Sequence, residues 1–299
     1  MTRHTLLLSL LSLTALIACD PKPTATPVAQ EPAAAKAPEA PAEKLKPMLW
    51  EVQGPNGPVY LLGTIHVGVD IDSHGYEVIR ERFDKSTRFV METDLSDAKE
   101  DMAKDMILPA NQPNLEAQLG PEVWAKLDER FENAASAYKN MQPWVVTTMI
   151  IGKMISGLPA ATPMDQELAD RARSQGKEMA YLEPASLQLT LIKKHLNAEE
   201  LKEMIVDFDK QKLELLELME FYKKGDVAGM TEVSFRHKDR KPLMYEEMFY
   251  NRNRSWIPLI KEHIARGNVF IAFGAGHMVG QDGILDLLQK EGIEAKRIE

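Results

Sequence analysis

The chain has 299 residues, a formal net charge of −9 and one cysteine. That length allows one large or two small domains, and the acidic balance argues against a nucleic-acid partner and against charge-driven adhesion to anionic lipid. The single cysteine is Cys19, outside the part expected to fold, so disulfides, thiolate-bound zinc and a cysteine nucleophile are excluded from the domain.

The first elements are not structural. Arg3 gives a short basic start, and Leu6 to Ile17 is an apolar run of about a dozen residues. Such a run is too short to stay in a bilayer as a helix and suits a secretory signal. It ends in Leu16-Ile17-Ala18-Cys19, which is similar to a bacterial lipobox. The expectation is a lipoprotein signal peptide over 1–19, cleaved before Cys19, with lipid on that cysteine and the protein anchored in the cell envelope, facing the periplasm. Asp20 resembles an inner-membrane retention signal of some bacteria, a rule that varies between lineages, so inner and outer membrane both stay open. Residues 20–46 are mostly Pro, Ala, Thr, Lys and Glu. They hold too little apolar surface to fold and read as a disordered tether. The folded domain is expected over 47–299, with no further apolar run of about twenty residues that could span a membrane.

Leu49 to Val52 and Val59 to Leu62 flank Gln53-Gly54-Pro55-Asn56-Gly57-Pro58 and read as a β-hairpin. A helix is expected over 75–85, then a strand from Arg88 that ends in Glu92-Thr93-Asp94. From about 97 to 266 the pattern is helical, with helices over 121–138, 144–156, 163–176, 184–195, 198–224 and 242–266 and one short strand at 177–182. Strand Val269–Phe273, a turn Gly274-Ala275-Gly276-His277, a helix over 283–291 and a strand around 295–298 close the chain. The reading is α/β (α+β): a mixed central sheet built from strands of both chain ends, carrying a large helical insert.

Two segments echo each other. YLLGTIH ends at His66 and FIAFGAGH at His277, each an apolar strand followed by Gly-x-x-His. A histidine just past a strand end sits where α/β proteins build sites. The alternative for each is a strand cap bonded to local backbone. If folding joins them, two imidazoles and a carboxylate would make a three-ligand metal site with an open position. Glu92, at the end of the third strand, is the best carboxylate, a metal ligand or, if not a ligand, a catalytic general base, with a solvated strand-end acid as the alternative, and Asp94 is the second choice. Arg252 interrupts an apolar stripe of Met244, Met248, Trp256 and Ile260 spaced at i+4. A charge on such a stripe needs a core carboxylate partner or a ligand, so Arg252 is either half of an ion pair or a substrate-binding and oxyanion-stabilising group. Asp165 near a helix start and Glu183 before a proline read more readily as structural. His74, His195, His237 and His263 read as surface or capping residues.

With these residues in order, the chain resembles the TraB/GumN family, which includes the pheromone-shutdown protein PrgY and the animal Tiki proteins. The resemblance runs from Leu49-Trp50-Glu51-Val52 through Gly63-Thr64-Ile65-His66, Glu92-Thr93-Asp94, Met164-Asp165, Gly176-Lys177, Leu182-Glu183, Gln188, Arg252-Asn253 and Trp256 to Gly274-Ala275-Gly276-His277. Tiki proteins are manganese- or cobalt-dependent proteases, and their two GxxH histidines and a glutamate match His66, His277 and Glu92. The resemblance therefore implies a divalent-metal site, manganese or cobalt favoured and zinc compatible, in a hydrolase; with the lipobox-like run at Cys19, the expectation is a lipid-anchored hydrolase of a peptide or small-molecule substrate. The rival is a non-catalytic periplasmic lipoprotein that binds a peptide, metal or haem.

Overall fold

Two apolar strands are joined by a turn at Pro55-Asn56 and fold back on each other. β1, Leu49–Gly54, pairs antiparallel with β2, Gly57–Thr64, in register from Leu49–Leu62 to Gly54–Gly57. The structure is a computed structural model that describes residues 45–298, apart from 67–68, 74, 96–98, 157 and 159–161. The expected signal peptide, Cys19, the tether up to residue 44, and His74 lie outside the described residues.

The remaining strands are β3 (Arg88–Met91), β4 (Glu178–Tyr181), β5 (Val269–Gly274) and β6 (Ala295–Arg297). They complete one six-stranded sheet in the order β4-β3-β5-β2-β1-β6. β4, β3, β5 and β2 run parallel, while β1 is antiparallel to both β2 and β6. The sheet is mixed, is drawn from both ends of the chain and carries a helical insert between β3 and β5, as expected from the sequence. Parallel strands need crossovers, and helices supply them: α1 (Glu77–Lys85) joins β2 to β3, and α2 (Met164–Ser174) leads into β4. Val59, Leu61, Leu62, Phe89, Val90, Phe270 and Ile271 are all buried, the near-continuous apolar pattern of strands covered on both faces.

Several helices are shorter than their periodicity suggests. The stretch expected over 121–138 stops at Arg130, because Glu132 and Asn133 take φ of 57° and 66°, a conformation no right-handed helix can continue through; a 3-10 turn over Ala135–Tyr138 follows. The charged helix expected over 198–224 is two helices, Ala198–Val206 and Phe208–Lys224, separated at Asp207. Asn197 caps the first by accepting from the N–H groups of Glu199 and Glu200. After β4, helix α3 covers Ala185–His195. The segment 242–266 is one helical run with a π turn at Glu246–Tyr250, followed by α4, Asn251–Arg266. The stripe survives this register shift: Met244, Met248, Arg252, Trp256 and Ile260 are all buried. Gly267 ends α4 at φ +71°, and a Cβ there would lie 2.4 Å from the Asn56 carbonyl carbon, so only glycine allows the hairpin to close against the helix end. No described helix is long and apolar enough to cross a membrane.

The parallel strands place the site. All four end at the same edge of the sheet, and each is followed within one to three residues by a polar residue: His66 after β2, Glu92 after β3, Glu183 after β4 and, in the short helix α5 (Ala275–Met278), His277 after β5. Ligand sites of open parallel sheets form at this edge.

Candidate functional site

The site has two halves. The first faces a cavity of about 330 Å³ lined by Thr64, His66, Glu92, Asp165 and Gln188, among others. His66 is 7% exposed, and its Nδ1 lies 2.6 Å from Asp165 Oδ1. Asp165 is the second residue of α2, where the exposed amides of the first turn favour a carboxylate. Burial works to lower the His66 pKa, but Asp165, with help from Glu92, overrides it and raises the imidazole above its ordinary value. Asp165 therefore accepts a hydrogen bond from Nδ1–H, which makes Nε2 the ring's acceptor nitrogen.

The second half is a buried polar cluster behind the cavity wall. Arg252 reaches from α4, 3% exposed, with every N–H engaged. Its Nε donates to Glu183 at 2.9 Å. One terminal nitrogen donates to the carbonyl of Met248, within the π turn, at 2.9 Å and to His277 Nε2 at 3.0 Å. The other donates to Glu92 at 2.8 Å and to Glu183 at 2.7 Å. Trp256 adds an indole N–H to Glu183 at 3.2 Å and lies under the guanidinium, 4.8 Å from its ring centroid.

His277 is fixed from both sides. A guanidinium can only donate, so Nε2 is the acceptor and Nδ1 carries the proton, which goes to Asn253 Oδ1 at 2.6 Å. Asn253 is itself oriented by donating its amide to the Asp282 carbonyl at 2.8 Å. Phe249 and Trp256 pack on the imidazole with centroids at 4.9 and 4.6 Å. Burial first, then the neighbouring Arg252, pushes its pKa down to about 3, so the ring is neutral at physiological pH.

Glu92 joins the halves. Its carboxylate accepts from the Gly274 N–H at 2.6 Å, Gln188 Nε2 at 3.1 Å and Arg252 at 2.8 Å. Burial would raise its pKa, but Arg252, His277, the Gly274 N–H and His66 outweigh it and hold it at about 2. A carboxyl depressed below its ordinary 4.5 stabilises the fold above that pH, and the contribution is lost as pH falls from about 4.5 to about 2. Glu92→Gln is accordingly expected to flatten the loss of melting temperature between pH 4.5 and 2. Thermal unfolding across that window checks this; an acid limb as steep as the wild type's would refute it.

The sequence-expected residues are thus gathered at one sheet edge, with roles that the structure distributes unevenly. His66 and Glu92 face the cavity. His277 and Arg252 face each other behind it, and Arg252 presents no N–H to a substrate. Asp94, the alternative carboxylate, is held by Arg173 at 2.6 Å. His195 and His237 are buried rather than at the surface, because each lies on the inner side of its segment against a carboxylate, Glu247 at 2.7 Å and Glu214 at 3.2 Å; His263 is buried too. Four participants were not read from the residues as functional: Asp165, Glu183, Gln188 and Asn253. Asn253 carried a usable signal, an amide next to Arg252 on the buried side of an otherwise amphipathic helix.

The residues do not fit a metal as arranged. Among the described residues no group of three His, Cys, Asp or Glu side chains could hold an ion. The His277 lone pair a metal would need is taken by Arg252, and the Glu92 carboxylate already has three N–H donors.

Known proteins are similar to this chain over most of its length. An uncharacterized protein of Treponema pallidum (strain Nichols) is 22% identical over 266 residues, covering 81% of this chain and 80% of that one. No solved structure matches. The TraB/PrgY/gumN family model matches residues 48–297, from the first residue before β1 to the end of β6, and the chain belongs to that family.

Proposed function

We propose that the chain is a hydrolase of the cell envelope, lipid-anchored at Cys19, in which His66 activates water against a carbonyl of a peptide or small-molecule substrate. The observation that carries this reading is the His66–Asp165 pair, 2.6 Å apart in the wall of the cavity. A histidine whose Nδ1–H is held by a carboxylate presents Nε2 as a general base and is stabilised when it becomes positive. His66 takes the proton of a water in the cavity, and the resulting imidazolium is stabilised by Asp165 and by the ionised Glu92. The oxygen adds to the substrate carbonyl, and His66 returns the proton to the leaving group. Glu92 stays an anion throughout, held by Arg252, Gln188 and the Gly274 N–H, and acts by its charge. His277 and Arg252 act as positioning residues that fix Glu92 from behind. The family resemblance points to a metal-dependent peptidase, but no step here is routed through a metal because the donor atoms are committed elsewhere.

A panel of peptides and carboxylic esters tests this. The wild type is expected to turn over at least one class and His66→Ala to lose that turnover. Binding without turnover, or turnover indifferent to His66→Ala, would overturn the reading in favour of a binding lipoprotein. The anchor has its own test. Cys19→Ala is expected to move the protein from the membrane to the soluble fraction of its host with the domain's melting unchanged. A mature wild-type protein that retains an unlipidated residue 19 would contradict it.

A further inference from the structure

Two buried oxygens in the wall of the His66 cavity are left unmatched. Thr64 is 2% exposed and Gln188 4%. Among the described residues, Thr64 Oγ1 and Gln188 Oε1 make no hydrogen bond, and both residues line the cavity with His66, Glu92 and Asp165. A polar atom removed from water without a partner costs stability, and native folds keep few of them. Packing needs neither oxygen. Valine would fill the volume of Thr64, and the one contact of the Gln188 amide uses its nitrogen.

Both oxygens have a defined direction. Gln188 donates Nε2 to Glu92 at 3.1 Å. Glu92 is an anion, so the amide cannot be reversed without setting its oxygen against a carboxylate. Gln188 Oε1 is therefore a fixed acceptor, to be met by an N–H or O–H. Thr64, the last residue of β2, lies in register with Gly274 of β5, so the two positions share a face of the sheet. A Cβ on Gly274 would lie 3.3 Å from Glu92 Oε1, which puts the Thr64 side chain on the carboxylate's side. Beside its general base the cavity thus carries one fixed acceptor and one hydroxyl able to donate. Hydrolysis also builds negative charge on the substrate's carbonyl oxygen, and Arg252 has no N–H left to meet it.

We propose that Thr64 and Gln188 are the substrate-binding pair of this cavity: Gln188 Oε1 accepts an N–H of a peptide chain and the Thr64 hydroxyl donates to its carbonyl oxygen. The site accordingly takes a chain of amides in preference to the same chain made of esters. This rests on the cavity being where His66 meets its substrate, and it adds the two residues that select what enters.

The test reads binding, so it does not depend on turnover. Acetyl-tetra-alanine amide is titrated into His66→Ala by isothermal titration calorimetry, alongside analogues in which one alanine at a time is replaced by lactate. Each replacement turns one N–H into an ester oxygen. One analogue is expected to bind roughly 10–100-fold more weakly than the parent peptide, the consequence of leaving Gln188 Oε1 unmet. Adding Gln188→Met should erase that difference. Any loss transmitted through Glu92 is common to both ligands and cancels in the comparison. Adding Thr64→Val should weaken the parent peptide by roughly tenfold, and in the wild-type background the same substitution should raise the melting temperature, because it removes a buried hydroxyl that has no partner. A hydroxyl with a structural role would lower it. The proposal is overturned if every analogue binds as the parent does, as it would were Gln188 to hold only the attacking water. It is equally overturned if the discrimination survives Gln188→Met, if Thr64→Val lowers the melting temperature, or if the parent peptide does not bind at millimolar concentration. Discrimination by a wild type that hydrolyses nothing would support this pair and remove the hydrolase reading, whereas hydrolysis without discrimination would do the reverse.

Discussion

Arg252→Met is expected to lower the domain's stability by about 3–5 kcal/mol, the usual cost of leaving a buried charge without its partner. The guanidinium is 3% exposed and supplies donors to Glu92, Glu183, His277 and the Met248 carbonyl. Methionine keeps helix propensity and fills much of the volume, so lost packing contributes little and the stranded carboxylates dominate. At about 2–4 °C per kcal/mol for a domain of this size, the melting temperature should fall by roughly 10 °C. Glu183→Gln in the same chain should restore part of the loss, since one of the two stranded charges is gone. Arg254→Met on the exposed side of α4 is the control. Its ion pair with Asp282 is solvent-screened, and the expected change is within about 0.5 kcal/mol. Equal effects at 252 and 254 would mean that the buried cluster is not what holds α4 to the sheet edge.

The largest expected loss of activity is at His66. His66→Ala should reduce turnover by roughly 10²–10⁴-fold, the range that general base catalysis supplies. Asp165→Asn is the more discriminating variant. An amide in place of the carboxylate can offer its N–H to the ring, which turns Nδ1 into the acceptor and puts the proton on Nε2, the nitrogen that must be basic. It also removes the charge that raises the His66 pKa. The expected result is a loss approaching that of His66→Ala in turnover number, with little change in KM, because Asp165 acts through His66 rather than on substrate. A selective rise in KM would place Asp165 in substrate binding instead.

Much of this arrangement was legible in the sequence, and what was not has identifiable causes. The hairpin and β5 were readable because apolar runs bounded by Gly and Pro specify strands locally, and β3 because a short apolar run ends in carboxylates. The echo of Gly-x-x-His located two of the four strand-end residues. The buried stripe announced Arg252 as a charge in need of partners. The partners themselves were not readable, because Asp165 is 99 residues from His66 and Glu183 is 69 from Arg252. A carboxylate at a helix start or before a proline looks the same whether it caps a helix or orients an imidazole. Only strand order distinguishes them: β4 lies beside β3, and that adjacency carries Glu183 to the same edge as Glu92. The π turn at Glu246–Tyr250 was likewise invisible, since the i+4 stripe passes through it with the same residues buried.

The measurement that bears most directly on the His66–Asp165 pair is a ¹⁵N-histidine NMR titration of the wild type and Asp165→Asn. The expected wild-type result is a neutral His66 protonated at Nδ1, with a pKa above its ordinary 6.5 that falls on removal of the Asp165 charge. A His66 protonated at Nε2 in the neutral state, or one whose titration is the same with and without the Asp165 carboxylate, would contradict the assignment of His66 as the water-activating base.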